Sequence, residues 1–134
     1  MAGVLPLSLA MAQHNILGEQ GEQAACEFLI ARGMTIRERN WRLNHLEVDI
    51  VAQKGNLIHI VEVKTRTANA HFDPMKSVNA AKQRNLIMAA NGYLHYNQLR
   101  CGVQYDVIIV TARNNTLDVQ YIPDAFKPRL RTYR

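Results

Sequence analysis

An α/β domain, built on a mixed sheet flanked by helices, is the fold class that this sequence predicts. Two stretches with helix-period apolar residues, 17–32 and 75–96, enclose three strand-like runs, and two more such runs follow the second. The element order is therefore α-β-β-β-α-β-β, which suits a mixed sheet with helices against it. At 134 residues the chain is long enough for one domain with a real core and too short to expect two. Residues 1–134 are read as a single domain, with 1–10 a disordered extension and 127–134 a basic tail.

The first helix rests on Leu17, Gly21, Ala24, Ala25, Phe28 and Leu29, which recur at helical spacing among Glu19, Glu22 and Glu27. Acids early in a helix suit its positive end, and Gly33 is a natural stop. Residues 34–41 alternate, with Met34, Ile36 and Glu38 on one face and Thr35, Arg37 and Arg39 on the other, as in a strand at a sheet edge. After a polar loop at Arg42, Asn44 and His45, strands are predicted over 46–52 and 57–64, joined by a turn at Lys54-Gly55. The second of these is rich in Ile and Val and belongs in the middle of the sheet.

Residues 65–72 are polar, and Pro74 stands close to the start of the long helix over 75–96. Its buried stripe is Val78, Ala81, Leu86, Ala89 and Tyr93, leaving Lys76, Lys82, Gln83 and Arg84 outward, and Asn91-Gly92 weakens its later part. Residues 105–111 form a nearly continuous apolar strand, as expected inside a sheet. Asn114-Asn115 turns the chain into a last strand over 117–122, ended by Pro123.

Composition narrows the function. The formal net charge is +5, and residues 123–134 contribute three of it, with Lys127, Arg129, Arg131 and Arg134 against Asp124. A basic surplus suits a polyanionic partner and equally a solubilising tail. Cys26 and Cys101 form no CxxC pair, and the five histidines lack the paired spacing of a zinc site. The apolar start, MAGVLPLSLAMA, lacks the positive region of a signal peptide and is too short to span a membrane. A natural start at Met11 and a cytoplasmic protein are the expectations.

The chemistry concentrates in LEVDIVAQKGNLIHIVEVKTR, residues 46–66. Alternation puts Glu62 and Lys64 on one strand face and Val61 and Val63 on the other. With a turn at Lys54-Gly55, position 49 falls opposite 60, and Asp49 lies one diagonal from Glu62. Two carboxylates across that gap can hold a hard divalent cation such as magnesium, with Lys64 beside it to offset charge on a phosphoryl group. Cross-strand ion pairs on a solvated face would give the same pattern, and the pattern alone leaves both readings open.

EVDIVA followed by VEVKTR, preceded by GEQGEQAACEFLIARG and RNWR, resembles the YraN family. The likeness extends over residues 11–126 through Lys82-Gln83, Tyr105-Asp106-Val107 and Ala125-Phe126. It implies a restriction-endonuclease-like fold of PD-(D/E)xK type, similar to archaeal Holliday-junction resolvases. By this resemblance Asp49 is the metal-binding aspartate, Glu62 the second acid and Lys64 the motif lysine. The Val63 carbonyl would face the metal, Glu22 would be the first-helix glutamate beside it, and Glu47 would assist. The chain departs from the family at Leu46, where a glycine usually stands, and at Asp73, where glycine usually follows the phenylalanine. The implied function is a Mg²⁺- or Mn²⁺-dependent DNA endonuclease, with branched or flapped DNA as the substrate that the likeness to resolvases suggests. Arg37, Arg39, Arg42, Lys76 and Arg84 are the expected phosphate contacts, DNA the expected partner, and a homodimer is left open. The alternative is a nucleic-acid- or partner-binding module that keeps the fold without robust cleavage.

Overall fold

In a computed structural model, which describes residues 7–68, 71 and 73–129, one five-stranded sheet separates two helices. The elements are α1 (Leu7–Ala31), β1 (Thr35–Leu43), β2 (Leu46–Lys54), β3 (Leu57–Thr67), α2 (Ala80–Tyr96), β4 (Gly102–Arg113) and β5 (Thr116–Phe126). A single 3-10 turn, Pro74–Ser77, precedes α2. The strands lie in the order β1-β2-β3-β4-β5. Only β3 and β4 pair in parallel, because α2 carries the chain back across the sheet between them. This is the predicted mixed sheet and element order, with β1 at an edge and β3 in the middle.

Each face of the sheet has its own core. On one, Ala25, Cys26 and Leu29 of α1 pack with Ile50, Ala52, Val61, Ile108 and Val110. On the other, Leu86, Ala89, Ala90 and Tyr93 of α2 pack with Val51, Ile58, Ile60, Val107 and Ile109. Strands covered on both faces need apolar residues at successive positions, which is why β3 and β4 read as near-continuous Ile and Val. Each fully buried Ile or Leu in these layers contributes about 1.5–3 kcal/mol.

Several local expectations shift. α1 begins at Leu7 rather than at 17, since Leu, Ala and Met are good helix formers and no proline interrupts the stretch. Of the extension expected over 1–10, residues 1–6 lie outside the described residues, as do 130–134 of the basic tail. α2 begins at Ala80 rather than 75, because Asn79 caps it: its side chain accepts from the Lys82 N–H at 2.9 Å. Ala81 is exposed and Ala90 takes its place in the stripe. At Gly92 the helix lies close to β1, and the nearest atom to a Cβ placed there is the tip of the Leu43 side chain. No helix among the described residues is long and apolar enough to cross a membrane.

The turn between β2 and β3 is Gly55-Asn56, with Gly55 at φ 58° and Lys54 paired to Leu57. That moves the β2–β3 register by two residues from the predicted one. β1 carries a bulge between Ile36 and Glu38, which turns Arg37 toward Tyr93 of α2 and Arg39 toward Gln23 of α1. The two arginines therefore do not share a face. α1 closes on Gly33, at φ 88°, with Met34 N–H donating to Leu29 O at 3.1 Å.

One contact fixes where α1 sits. A Cβ on Gly21 would strike Oγ1 of Thr65 in β3, with the Thr65 Cγ2 and Cβ close behind. Rotating a β-branched side chain only exchanges one obstacle for another. Gly21→Ala is expected to lower stability by about 2 kcal/mol in urea unfolding, as overpacking does. Thr65→Ala in the same chain should recover most of the loss; simple additivity of the two substitutions would show that this contact does not set the spacing.

Candidate active site

The site begins with a break in hydrogen bonding. β1 and β2 pair along their whole length, but β2 and β3 pair only from Ile50↔Val61 to Lys54↔Leu57. Beyond Ile50 the two strands separate, and Asp49 fills the split: its Oδ2 accepts from the Val63 N–H at 2.8 Å. The N–H and C=O of a strand residue lie along the same edge. The Val63 carbonyl therefore also faces the opening. Side-chain alternation slips here, for Leu46 and Val48 join the α2-side core while Ile50 and Ala52 join the α1-side core. On β1, Asn40 stands between the pairs Arg39↔Ile50 and Trp41↔Val48 with φ 51°, so both strands are irregular at this level.

In the observed register Asp49 comes level with Glu62 rather than diagonal to it, and their carboxyls interact directly. Burial pushes Glu62 up to about 8, the Asp49 charge adds to the rise, and Lys82 opposes it. Asp49 is also raised by burial, against the lowering effect of the Val63 N–H and the Glu62 hydrogen bond. The two acids thus titrate as a pair that retains one proton near neutral pH, held on Glu62. Lys82 Nζ lies 3.3 Å from Glu62 Oε2, with side chains 39% and 14% exposed. That distance falls within ion-pair range, yet Oε2 is buried and has no hydrogen-bond partner. The lysine lies beside the oxygen without the alignment of a hydrogen bond.

Glu22 approaches from α1. Its carboxyl accepts from Asn40 Nδ2 at 3.2 Å, and burial raises its pKa, with Asp49 and Glu47 adding to the rise. Glu22, Asn40, Arg42, Val63, Lys64 and Thr65 line an open cleft of about 660 Å³ between α1 and the separated strands. Lys64 is exposed on its rim. Glu47 is exposed and 3.8 Å from Arg42.

A family match accompanies this geometry. The family model described as "Uncharacterised protein family UPF0102" matches residues 21–110. The chain belongs to the UPF0102 family. A UPF0102 protein of Bacteroides thetaiotaomicron is 42% identical over 120 residues, covering 90% of this chain and 99% of the relative. One of Flavobacterium psychrophilum is 40% identical, covering 87% of this chain and 98% of its own. One of Myxococcus xanthus is 41% identical, covering 87% and 94%. UPF0102 is the YraN family whose likeness the sequence carries.

In this UPF0102 chain the donors that could hold a cation are the Asp49 and Glu62 carboxylates and the Val63 carbonyl. Oxygen donors suit magnesium or manganese, and an orphaned buried oxygen beside a second acid is what a cation would complete. Among the described residues no three acidic, histidine or cysteine side chains close around one point, so Glu22 stands outside that set. The basic residues divide. Arg39 and Arg42 are exposed near the cleft, and Lys76 and Arg84 are exposed on the α2 side. Arg37 is committed elsewhere: it donates to Tyr93 Oη at 2.8 Å and Gln53 Oε1 at 2.7 Å and lies over the Tyr93 ring. Lys82, read from the helix pattern as outward, reaches the site; its place in the Lys82-Gln83 pair of the family likeness was the available signal.

The raised Glu62 pKa has a consequence for stability. Between about 4.5, its ordinary value, and about 8 the folded state keeps a proton that the unfolded state has released. Stability of the metal-free protein should therefore fall as pH rises through that window. Glu62→Gln removes the titration, and in EDTA at pH 8.5 its melting temperature should exceed wild type by the equivalent of about 2 kcal/mol. The difference should vanish toward pH 4.5; a gap independent of pH would contradict the assignment.

Proposed function

We propose that the protein is a Mg²⁺- or Mn²⁺-dependent endonuclease hydrolysing DNA phosphodiester bonds, with branched or flapped DNA as the substrate class. The observation that carries this reading is the pair of half-buried, interacting carboxyls at the strand split, one of whose oxygens, Glu62 Oε2, is buried without a hydrogen-bond partner. Two acids placed together at such cost to the fold are explained when their charge is used.

Asp49, Glu62 and the Val63 carbonyl would hold the ion. When bound, it supplies charge to offset the phosphoryl oxygens and lowers the pKa of a coordinated water. Lys64, on the rim of the cleft, offers an ammonium to a non-bridging phosphate oxygen and to the charge that builds there during attack. Glu22, with a raised pKa and one oxygen held by Asn40, is suited to orient the attacking water and accept its proton. Arg42 and Arg39 extend the positive charge along the cleft, giving sequence-independent, salt-sensitive binding, and Lys76 and Arg84 do so from the α2 side. Arg37 is less available for such a contact, since its Nε and Nη1 already donate to Tyr93 and Gln53.

Supercoiled plasmid, flapped duplex and four-way junction DNA, each incubated with Mn²⁺ or with EDTA, test the reading. Product should form only with the metal. Lys64→Ala should reduce cutting by about 100-fold or more while leaving the fold and most DNA affinity intact, since it removes charge stabilisation rather than the metal ligands. Intact DNA binding with no metal-dependent product on any substrate would instead identify a binding module that keeps the fold.

A further inference from the structure

Lys82 belongs to neither the hairpin nor α1, yet its ammonium is the charge drawn up to the open oxygen of Glu62, 3.3 Å away. The backbone that presents it is held firmly. Asn79 Oδ1 takes the Lys82 N–H at 2.9 Å, and Gln83 Nε2 donates to Val78 O at 3.0 Å, so the first turn of α2 is pinned on both sides of the lysine. The side chain itself is not pinned. It is 39% exposed, and its contact with Oε2 lacks hydrogen-bond alignment. A fixed stem with a loosely held charged tip differs from Arg37, whose guanidinium is fastened by two hydrogen bonds below 3 Å.

We propose that Lys82 is the internal counter-ion of this site, a positioning residue that stands at Glu62 in the metal-free protein and yields that oxygen to an incoming divalent cation. The inference rests on the metal-dependent reading above and adds to it a control on metal affinity. An ammonium cannot share one carboxylate oxygen with a divalent ion without strong repulsion at that range. Cation entry must therefore displace Lys82 from Glu62, and the cost of that displacement is subtracted from the affinity of the two acids. The site would in this way stay weakly occupied until magnesium is abundant, despite two converging carboxylates. Lys64 differs in placement: it lies out on the cleft rim, and Lys82 is the lysine whose charge acts on Glu62.

The Val63 amide, which donates to Asp49, is a built-in reporter. Its nitrogen–proton NMR signal can be followed while Mg²⁺ is added to wild type, Lys82→Met and Lys82→Arg at pH 9, where protons compete least for Glu62. No DNA is needed. Lys82→Met keeps an unbranched side chain only one atom shorter and leaves the backbone cap untouched, so it should fold. Its Mg²⁺ dissociation constant is expected to be about threefold lower than wild type or more, as loss of a neighbouring like charge requires. Lys82→Arg should stay within about twofold of wild type. Equal or weaker binding by Lys82→Met, with saturable binding in wild type, would overturn the counter-ion role and leave the nuclease reading standing. An absence of saturable Mg²⁺ binding in all three proteins would remove both.

Discussion

Past Ile50 and Val61 the sheet loses a neighbour, and the Val63 N–H faces a gap where a β2 carbonyl would otherwise stand. A buried backbone donor left without a partner costs about 1–3 kcal/mol, so something must fill that position. Asp49 does so with its side chain, at 2.8 Å. The remaining features of the site depend on this substitution of a carboxylate for a strand. It holds β2 and β3 apart, turns the Val63 carbonyl to the same opening, brings Asp49 level with Glu62, and leaves room for the cleft beneath α1. The irregular backbone at Asn40 is the matching adjustment on β1, and its side chain then serves Glu22.

The two helices serve the split from opposite sides. α1 reaches β3 closely at Gly21, immediately before Glu22, so the residue that permits the approach and the residue that uses it are adjacent. α2 brings Lys82 in its first turn, set by the Asn79 cap. Neither contribution depends on the helix being unusually stable; each depends on where the helix is stopped, by a side chain that cannot be larger or by a cap that fixes the first turn.

Much of this was legible in the sequence, and the parts that were not share a cause. The elements, their order and the central place of β3 follow from apolar periodicity, which local residues determine. Asp49, Glu62, Val63 and Lys64 were identifiable as a group because their spacing and the family likeness named them. The register was not, because Lys54, Gly55 and Asn56 offer two turns and only the whole hairpin chooses between them. The slip at Asp49 was hidden because strict alternation assumes an unbroken strand. The placement of Lys82 and Arg37 is not legible for a further reason: a long side chain goes where its charge or its donors find partners, and those partners lie 20 and 56 residues away in the chain.

A buried carboxylate on β4, beside β3, shows how this fold satisfies an acid with donors of its own. Asp106 accepts from His59 Nδ1 and Tyr121 Oη at 2.7 Å on one oxygen, and from Gln104 Nε2 and the Asp124 N–H at 2.9 Å on the other. The Asp124 contact secures the irregular pairing of β5 with β4, where Asp124 itself has φ 51°. Both oxygens are satisfied, so the cost of burial is met and nothing further is required. Glu62 lies one side-chain position away on the neighbouring strand, since Val61 pairs with Asp106 and Glu62 with Val107. The same sheet that surrounds Asp106 with donors leaves Glu62 Oε2 with an unaligned lysine and no hydrogen bond. Packing alone does not account for that difference, because donors for a buried acid are evidently within this fold's means. What separates the two acids is their surroundings: four donors converge on Asp106, whereas Glu62 Oε2 is buried beside a second acid and a lysine that is not aligned to bond it.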